Sequence, residues 1–225
     1  MSEKPILMTA ENYLQCADGT KTQTRRILKP QPEWVGIDPG GVNIGWLWNG
    51  CCFCEPGEGI KATAPLVTTH IRRGDLLYVK ESLSKTIDGM IVYGNTEELY
   101  LEFSPLAASD LPVRWKWKRD YLPSMFMPKK FARLWLEVTA VRVERLRDIS
   151  TSDVWAEGIS QDEYETWVED CSNIGGGGHC ELPQAWFERL WNSINGKKHP
   201  WESNPWVWVY TFNRIERQDN DNPSL

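Results

Sequence analysis

The sequence lacks several features that would place the chain in a membrane or outside the cell. No apolar run reaches about 18 residues, the length that predicts a transmembrane helix. The first five residues lack the apolar segment of a secretory signal peptide. The six cysteines are too few for a disulfide scaffold in 225 residues, which leaves reduced thiols or metal ligands. We therefore expect a cytoplasmic protein with no membrane partner.

An excess of positive charge is also missing. The net charge of −6 argues against tight binding of duplex DNA, because that affinity comes from many simultaneous phosphate contacts. Two small basic clusters remain, and such clusters suit a modified nucleoside or a short single strand better than a long duplex. The clusters comprise Lys21, Arg25, Arg26 and Lys29, and then Arg114, Lys116, Lys118 and Arg119.

The sequence shows neither a phosphate-binding loop nor the βαβ alternation of parallel α/β nucleotide-binding folds. The four glycines at 175–178 are not followed by Gly-Lys-Ser or Gly-Lys-Thr, which excludes a phosphate-binding loop there. Strands and helices do not alternate in a βαβ rhythm, and this favours an α+β fold, a small mixed β-barrel with helices at its rim. We expect a monomer with one domain over 1–217, long insertions at 31–69 and 86–123, and a disordered tail at 218–225.

Hydrophobic periodicity and turn residues predict the elements. The region 31–69 has no clear periodicity and is either irregular or folded into small hairpins. The predicted strands cover 5–9, 20–27, 76–80, 131–143 and 206–212, with a hairpin of 90–93 and 99–103. The predicted helices cover 10–16, 150–157, 162–171 and 183–194.

Polar residues dominate the segment 19–26, most of which lies in the predicted strand 20–27. Thr22, Thr24 and Arg26 would share one face of it, and Lys21, Gln23 and Arg25 the other. A solvated edge strand explains this pattern, and so does a functional site.

Four segments, taken in order, resemble the ASCH family, a branch of the PUA-like β-barrels, and its longer phage and prophage members most of all. They read Gly-Thr-Lys-Thr-Gln-Thr-Arg-Arg at 19–26, Gly-Asp-Leu-Leu-Tyr-Val-Lys-Glu at 74–81, a capped helix ending in Ala-Glu-Gly at 156–158, and Asn-Pro-Trp-Val-Trp-Val at 204–209. Met127-Pro128 and Val-Glu-Arg-Leu at 143–146 add to the set. Thr20 departs from the family habit, in which arginine is common.

The resemblance implies a PUA-like barrel with a cleft for a nucleobase, a nucleoside or a flipped base. Small bacterial members of the family are amidohydrolases on N4-acetylcytidine, and their catalytic Lys, Thr and Glu correspond to Lys21, Thr24 and Glu157. No cofactor is required for that reaction. The resemblance further implies ligand contacts from Thr22, Gln23, Arg25, Arg26, Lys80 and Glu81.

The chemistry of these residue types is coherent. Amide hydrolysis needs a nucleophile, a proton acceptor and a group that stabilises the oxyanion. The Thr24 hydroxyl becomes nucleophilic when a base such as Lys21 removes its proton, and Glu157 could activate water or protonate the leaving amine. The alternatives are that Lys21 and Glu157 form an ion pair bridging strand and helix, and that the protein is a non-catalytic RNA or single-stranded nucleic-acid binding accessory protein of a phage or prophage.

Two further groups of residues carry hypotheses. A structural zinc ion could be held by Cys52, Cys54, Cys171, His179 and Cys180, although cysteines in loops are often simply buried thiols. Trp115, Lys116, Trp117 and Lys118 alternate aromatic and cationic side chains, which predicts either a stacking rim for a single strand or an edge strand with its tryptophans turned inward.

Overall fold

The computed structural model describes seven stretches of the chain, covering residues 1–34, 46–48, 51–53, 70–85, 91–93, 118–173 and 182–216. These form an α+β fold, as predicted, around one five-stranded sheet. Its strands are β1 (Glu3–Leu7), β2 (Gln23–Ile27), β6 (Leu76–Lys80), β10 (Trp135–Arg145) and β11 (Trp206–Ile215). They lie in the order β1-β6-β10-β11-β2, with β1 and β6 parallel and the other neighbours antiparallel.

The strands at the two ends of this sheet are linked by a side chain. In the described pairings, β1 and β2 are the edge strands and do not exchange backbone hydrogen bonds with each other. The Arg26 guanidinium on β2 nevertheless donates from Nη2 to the backbone oxygen of Leu7 on β1, over 2.7 Å. The predicted barrel is therefore a curled sheet whose two edges meet through a side chain at this seam.

Of the two small antiparallel sheets, one lies within the predicted insertion 31–69 and the other pairs β7, just before the predicted insertion 86–123, with two strands inside that insertion. The first consists of β3 (Glu33–Trp34), β4 (Trp46–Trp48) and β5 (Cys51–Phe53), so the region 31–69 contains hairpins. The second consists of β7 (Leu83–Lys85), β8 (Ile91–Tyr93) and β9 (Tyr121–Leu122). The partner predicted for β8, residues 99–103, lies outside the described residues, and β8 pairs with β7.

The described fold also has four α-helices, besides short 3₁₀ turns: α1 (Ala10–Asp18), α2 (Thr151–Ala156), α3 (Gln161–Asn173) and α4 (Pro183–Asn195). The Ser150 side chain accepts a hydrogen bond from the Asp153 backbone N–H and caps α2, as the sequence predicts. Of the helices in the described stretches, none has the length and apolar character needed to span a membrane.

Both faces of the sheet are covered, and β11 separates the two cores. Val207 and Val209 pack with residues of α2 and α4, including Val154 and Phe187. Tyr210 and Phe212 belong to the core that contains residues of α1. Because cross-strand neighbours share a face, the register of β2 on β11 places Arg25 beside Val209, and Thr24 and Arg26 beside Tyr210 and Trp208.

The interpretation of residues 19–26 as a solvated edge strand is wrong in one respect. The strand β2 is an edge strand, but its first three residues, Gln23, Thr24 and Arg25, are buried, and so is Lys21 just before it. Helix α2 covers this end of the strand, and the Thr22 backbone N–H donates to the Ala156 carbonyl over 2.9 Å. Burial of so many polar groups requires partners, and these form the candidate site.

Candidate active site

The centre of the site is a buried contact between Lys21 and Glu157, which are 136 positions apart in the chain. The Lys21 Nζ lies 2.8 Å from Glu157 Oε2 and also donates to the Glu157 backbone oxygen. Lys21 is 5% exposed and Glu157 7%. The predicted ion pair between strand and helix is therefore present.

Backbone geometry on both sides fixes this contact. The Lys21 backbone N–H donates to the Gln15 carbonyl over 2.8 Å, which ties the motif to α1. Glu157 is the C-cap residue that follows α2, and the next residue is Gly158 at φ +104°. Glycine adopts that left-handed region at little cost, so it allows the chain to turn directly against Lys21.

Arg25 connects Glu157 to a wider network. Its Nη1 lies 3.0 Å from Glu157 Oε1, and its Nη2 lies 2.5 Å from Glu144 Oε1 and 3.2 Å from Asp153 Oδ2. Gln23 accepts a hydrogen bond from Arg25 over 2.7 Å and donates to Asp153 over 3.0 Å. The Arg25 side chain is almost completely buried and stacks within cation–π distance of Phe187.

The network balances its charges. Arg142 donates to Glu144 over 2.8 Å and to Asp153 over 2.9 Å, and so joins Lys21 and Arg25 as the third cation facing three carboxylates. Burying charges is tolerable when each finds an opposite partner with good hydrogen-bond geometry. The members are Lys21, Arg25, Arg142, Glu144, Asp153 and Glu157.

Sequence reasoning did not assign Glu144, Asp153 or Arg142 to the site. Glu144 belongs to the Val-Glu-Arg-Leu segment at 143–146, and Asp153 lies in the first turn of the capped helix α2. Both positions therefore lie in segments that resemble the ASCH family, which is the one sequence feature that points to them. Burial alone would raise the pKa of Asp153. The hydrogen bond from Gln23 and the charges of Arg142 and Arg25 outweigh burial and hold that pKa below its usual range. This carboxyl therefore stays ionised as a partner of Arg25.

A buried thiol adjoins the Lys21–Glu157 pair. Burial raises the pKa of Cys16 to about 12, although the positive charge of Lys21 acts in the opposite direction. A thiol with so high a pKa is protonated at neutral pH and a poor nucleophile. Cys16 therefore contributes packing to the site and not covalent chemistry.

Thr24 and Arg26 lie on the face of β2 opposite to Gln23 and Arg25, as the predicted alternation requires. Thr24 is buried and pairs in register with Tyr210, whereas Arg26 is accessible and pairs with Trp208. The rings of Trp208 and Tyr210 are stacked, with centroids 6.3 Å apart and planes inclined by 20°.

A cavity of about 450 Å³ opens on this face, at the seam between β1 and β2. Among the described residues of the 19–26 motif, only Arg26 lines it. Both sheet edges, the 70–71 segment and β11 contribute to its wall. The lining residues are Pro5, Ile6, Leu7, Arg26, Ile27, Lys29, His70, Ile71, Trp208 and Tyr210.

Lys80 and Glu81 contact a different set of residues. Glu81 pairs with Arg133 Nη2 over 2.8 Å, and the Arg133 guanidinium lies 3.6 Å from the centre of the Tyr93 ring and 4.6 Å from that of Tyr13. Burial raises the pKa of Glu81, and the charge of Arg133 opposes that rise. The Lys80 ammonium donates to the Met125 carbonyl. The predicted ligand contacts of both residues stay predictions.

The metal and rim hypotheses fall largely outside the described residues. Cys54, His179 and Cys180 lie there, as do Trp115, Lys116 and Trp117, while Lys118 is described and exposed. Cys52 belongs to β5, and Cys171 is a buried thiol within α3. The described stretches contain no group of three or more potential metal ligands. A structural zinc between 51–54 and 171–180 stays a prediction.

Comparison with known proteins gives one structural match. No family model matches the chain, and no curated protein matches it either. A search of solved structures finds similarity to the ASCH domain from Lactobacillus crispatus JV V101, with 13% sequence identity, a TM-score of 0.34, and coverage of 95% of this chain and 79% of that one. The chain resembles the ASCH family in its sequence motifs, and the solved structure that it matches is an ASCH domain.

Proposed function

We propose that this chain binds a pyrimidine nucleoside or nucleotide in the seam cavity and hydrolyses an N4-acyl group from its base. The observation that carries the proposal is the position of the cavity, whose wall includes Arg26 and the stacked Trp208 and Tyr210. The volume of about 450 Å³ falls in the range of small-molecule sites, about 300–1,000 Å³.

The aromatic wall suits a nucleobase. Every base presents a flat π-face, and stacking on an aromatic side chain contributes about 1–3 kcal/mol per base. Trp208 and Tyr210 stand side by side on β11, and Tyr210 lies opposite Thr24 in the strand register. A base stacked at the Tyr210 end would therefore bring its exocyclic amide towards the segment that carries Thr24 and Lys21.

The reaction assigned to the site is hydrolysis of an amide. The Thr24 oxygen, or a water molecule, attacks the acetyl carbonyl carbon while Lys21 or Glu157 takes the proton of the attacking group. The same residue passes that proton to N4 as the bond between the carbonyl carbon and N4 breaks. Water completes the release of acetate, which leaves the unmodified nucleoside. Proton transfer of this kind typically contributes about 10²–10⁴-fold to the rate.

The direct test is incubation of the purified protein with N4-acetylcytidine and chromatography of the products. We expect cytidine and acetate in equal amounts, at a rate proportional to protein concentration. The matched control is N4-methylcytidine, which has no acyl carbonyl and should be recovered intact. A preparation that binds cytidine but leaves N4-acetylcytidine unchanged would contradict the catalytic part of the proposal.

The second candidate is binding of a modified nucleoside or an exposed base in single-stranded RNA or DNA, without catalysis. One observation favours it: both carboxylate oxygens of Glu157 are engaged, Oε2 by Lys21 at 2.8 Å and Oε1 by Arg25 at 3.0 Å. A carboxylate held in this way orients Lys21 but has fewer lone pairs for a water molecule. Nucleoside binding without turnover, in the same assay, is the result that would support this candidate.

A further inference from the structure

The cations that line the seam cavity differ from those of the buried network in having no carboxylate partner among the described residues. Lys21 and Arg25 each face carboxylates within 3.0 Å. In the described part of the chain, no carboxylate lies within ion-pair distance of Arg26 or Lys29, and no acidic side chain lines the cavity. This contrast matters in a protein with 31 Asp and Glu residues and 25 Lys and Arg residues, where a wall with two cations, Arg26 and Lys29, and no carboxylate among its described residues is locally positive.

The basic side chains occupy one end of the cavity. Along β2, Arg26 lies beside Trp208, and Lys29 follows two residues beyond the strand end at Ile27. His70 reaches the same cavity from the segment before β6, where its backbone oxygen accepts a hydrogen bond from Lys4 on β1. Tyr210, which pairs in register with Thr24, marks the opposite end. The cavity therefore runs along the seam from an aromatic end at Tyr210 to a basic end at Lys29 and His70.

Arg26 keeps donors for a ligand at that basic end. A guanidinium has five N–H donors in a planar fork. The hydrogen bonds described for Arg26 start from Nη2 alone, on Leu7 O at 2.7 Å and Met8 Sδ at 3.9 Å. The contact with Leu7 also fixes the orientation of the fork, and a fixed fork suits a phosphate better than a mobile side chain does.

We infer that Arg26, Lys29 and His70 form a phosphate subsite, so that the ligand of the seam cavity is a nucleotide and not a free nucleoside. The inference rests on the proposed function, because it takes the base to occupy the Trp208 and Tyr210 end. The phosphate of a 5′-nucleotide would extend from the base towards the basic end. The same subsite would take the 5′-phosphate of a terminal or flipped nucleotide in a single strand.

Isothermal titration of the full chain with cytidine, cytidine 5′-monophosphate and inorganic phosphate tests the inference. We expect the monophosphate to bind at least about tenfold more tightly than cytidine, since hydrogen bonds to charged groups are the stronger class. Inorganic phosphate alone should bind more weakly than the monophosphate. In the double variant Lys29→Ala and His70→Ala, the preference for the monophosphate over cytidine should fall below about threefold. The matched control is Lys198→Ala, which removes an exposed lysine beyond the end of α4 and should keep the preference.

The outcomes separate this inference from the proposed function. Equal affinities for cytidine and its monophosphate would overturn the phosphate subsite and leave nucleoside recognition in place. An unchanged preference in a folded double variant would also overturn it, because the phosphate would then bind elsewhere. If neither cytidine nor its monophosphate binds, the proposed function fails and the subsite fails with it.

Discussion

Gly158 packs directly against Lys21. A Cβ atom added to Gly158 would lie 3.0 Å from Lys21 Cβ and 2.6 Å from Gln15 Oε1, closer than ordinary van der Waals contact. Gly158, which follows Glu157, thus packs against the aliphatic part of the Lys21 side chain. The position of the buried ammonium depends on a backbone without a side chain at 158.

Gly158→Ala should therefore destabilise the protein more than a comparable glycine change elsewhere. Gly74→Ala is the matched control, since Gly74 also has positive φ, at +82°, but no atom lies within 4 Å of an added Cβ. The left-handed backbone should cost about 1–2 kcal/mol in both variants, and the contact with Gln15 and Lys21 adds to the cost at 158 only. Urea unfolding of the two variants measures the difference, and equal losses would contradict the close approach described here.

Removal of the Thr24 hydroxyl should abolish turnover if the catalytic proposal is correct. Thr24→Val keeps the shape of the side chain, and we expect N4-acetylcytidine hydrolysis to fall by about 10²–10⁴. Lys21→Met should have a similar effect, because it removes the only side-chain cation that contacts Glu157 Oε2 within the described residues. Thr166→Val is the control, since Thr166 is an exposed threonine on α3 and is not a site candidate. Circular dichroism checks that the variants are folded, and activity within a few-fold of wild type in Thr24→Val would exclude a threonine nucleophile.

Most helices and strands of the central fold were predictable from the sequence, but the tertiary contacts between them were not. The alternation over 206–212 and the Ser150 cap are local patterns, and they predicted the observed strand β11 and helix α2. The contact of Lys21 with Glu157 depends on how α2 crosses the end of β2, and only the family resemblance suggested it. The seam cavity depends on Arg26 reaching Leu7 on a strand that is not its hydrogen-bonded neighbour, and no periodicity in the sequence encodes that distance.

Asp75 should make the stability of the protein sensitive to acid. Burial alone would raise the pKa of this carboxyl, but hydrogen bonds from Lys4, Ser2 and the Arg72 backbone outweigh it and hold that pKa well below its usual range. A carboxyl with a depressed folded-state pKa contributes stability above its unfolded pKa of about 4, and the contribution is lost as the pH falls below that value. Asp75→Asn should therefore lose about 1–3 kcal/mol at pH 7 and less at acidic pH.

Urea unfolding at neutral pH, at about pH 5 and below pH 4 tests this expectation. Glu169→Gln is the control, because it neutralises an exposed carboxylate on α3 and should change stability little at any of these pH values. If the difference in the free energy of unfolding between wild type and Asp75→Asn is the same at all three pH values, the negative charge of Asp75 is not what stabilises the protein.

Binding of nucleic acid should favour single strands over duplexes and depend only weakly on salt. Of the four basic residues in 21–29, Lys21 and Arg25 are buried in ion pairs, so Arg26 and Lys29 are the ones that can reach phosphates. With roughly two or three phosphate contacts, the logarithm of the affinity for a single strand should fall with the logarithm of the salt concentration with a slope of about −1.4 to −2. Titration of labelled single-stranded and duplex oligonucleotides at several salt concentrations measures this slope, and Lys29→Ala should flatten it by about 0.7. Tight duplex binding that weakens steeply with salt would require a dominant basic surface and would contradict the charge distribution described here.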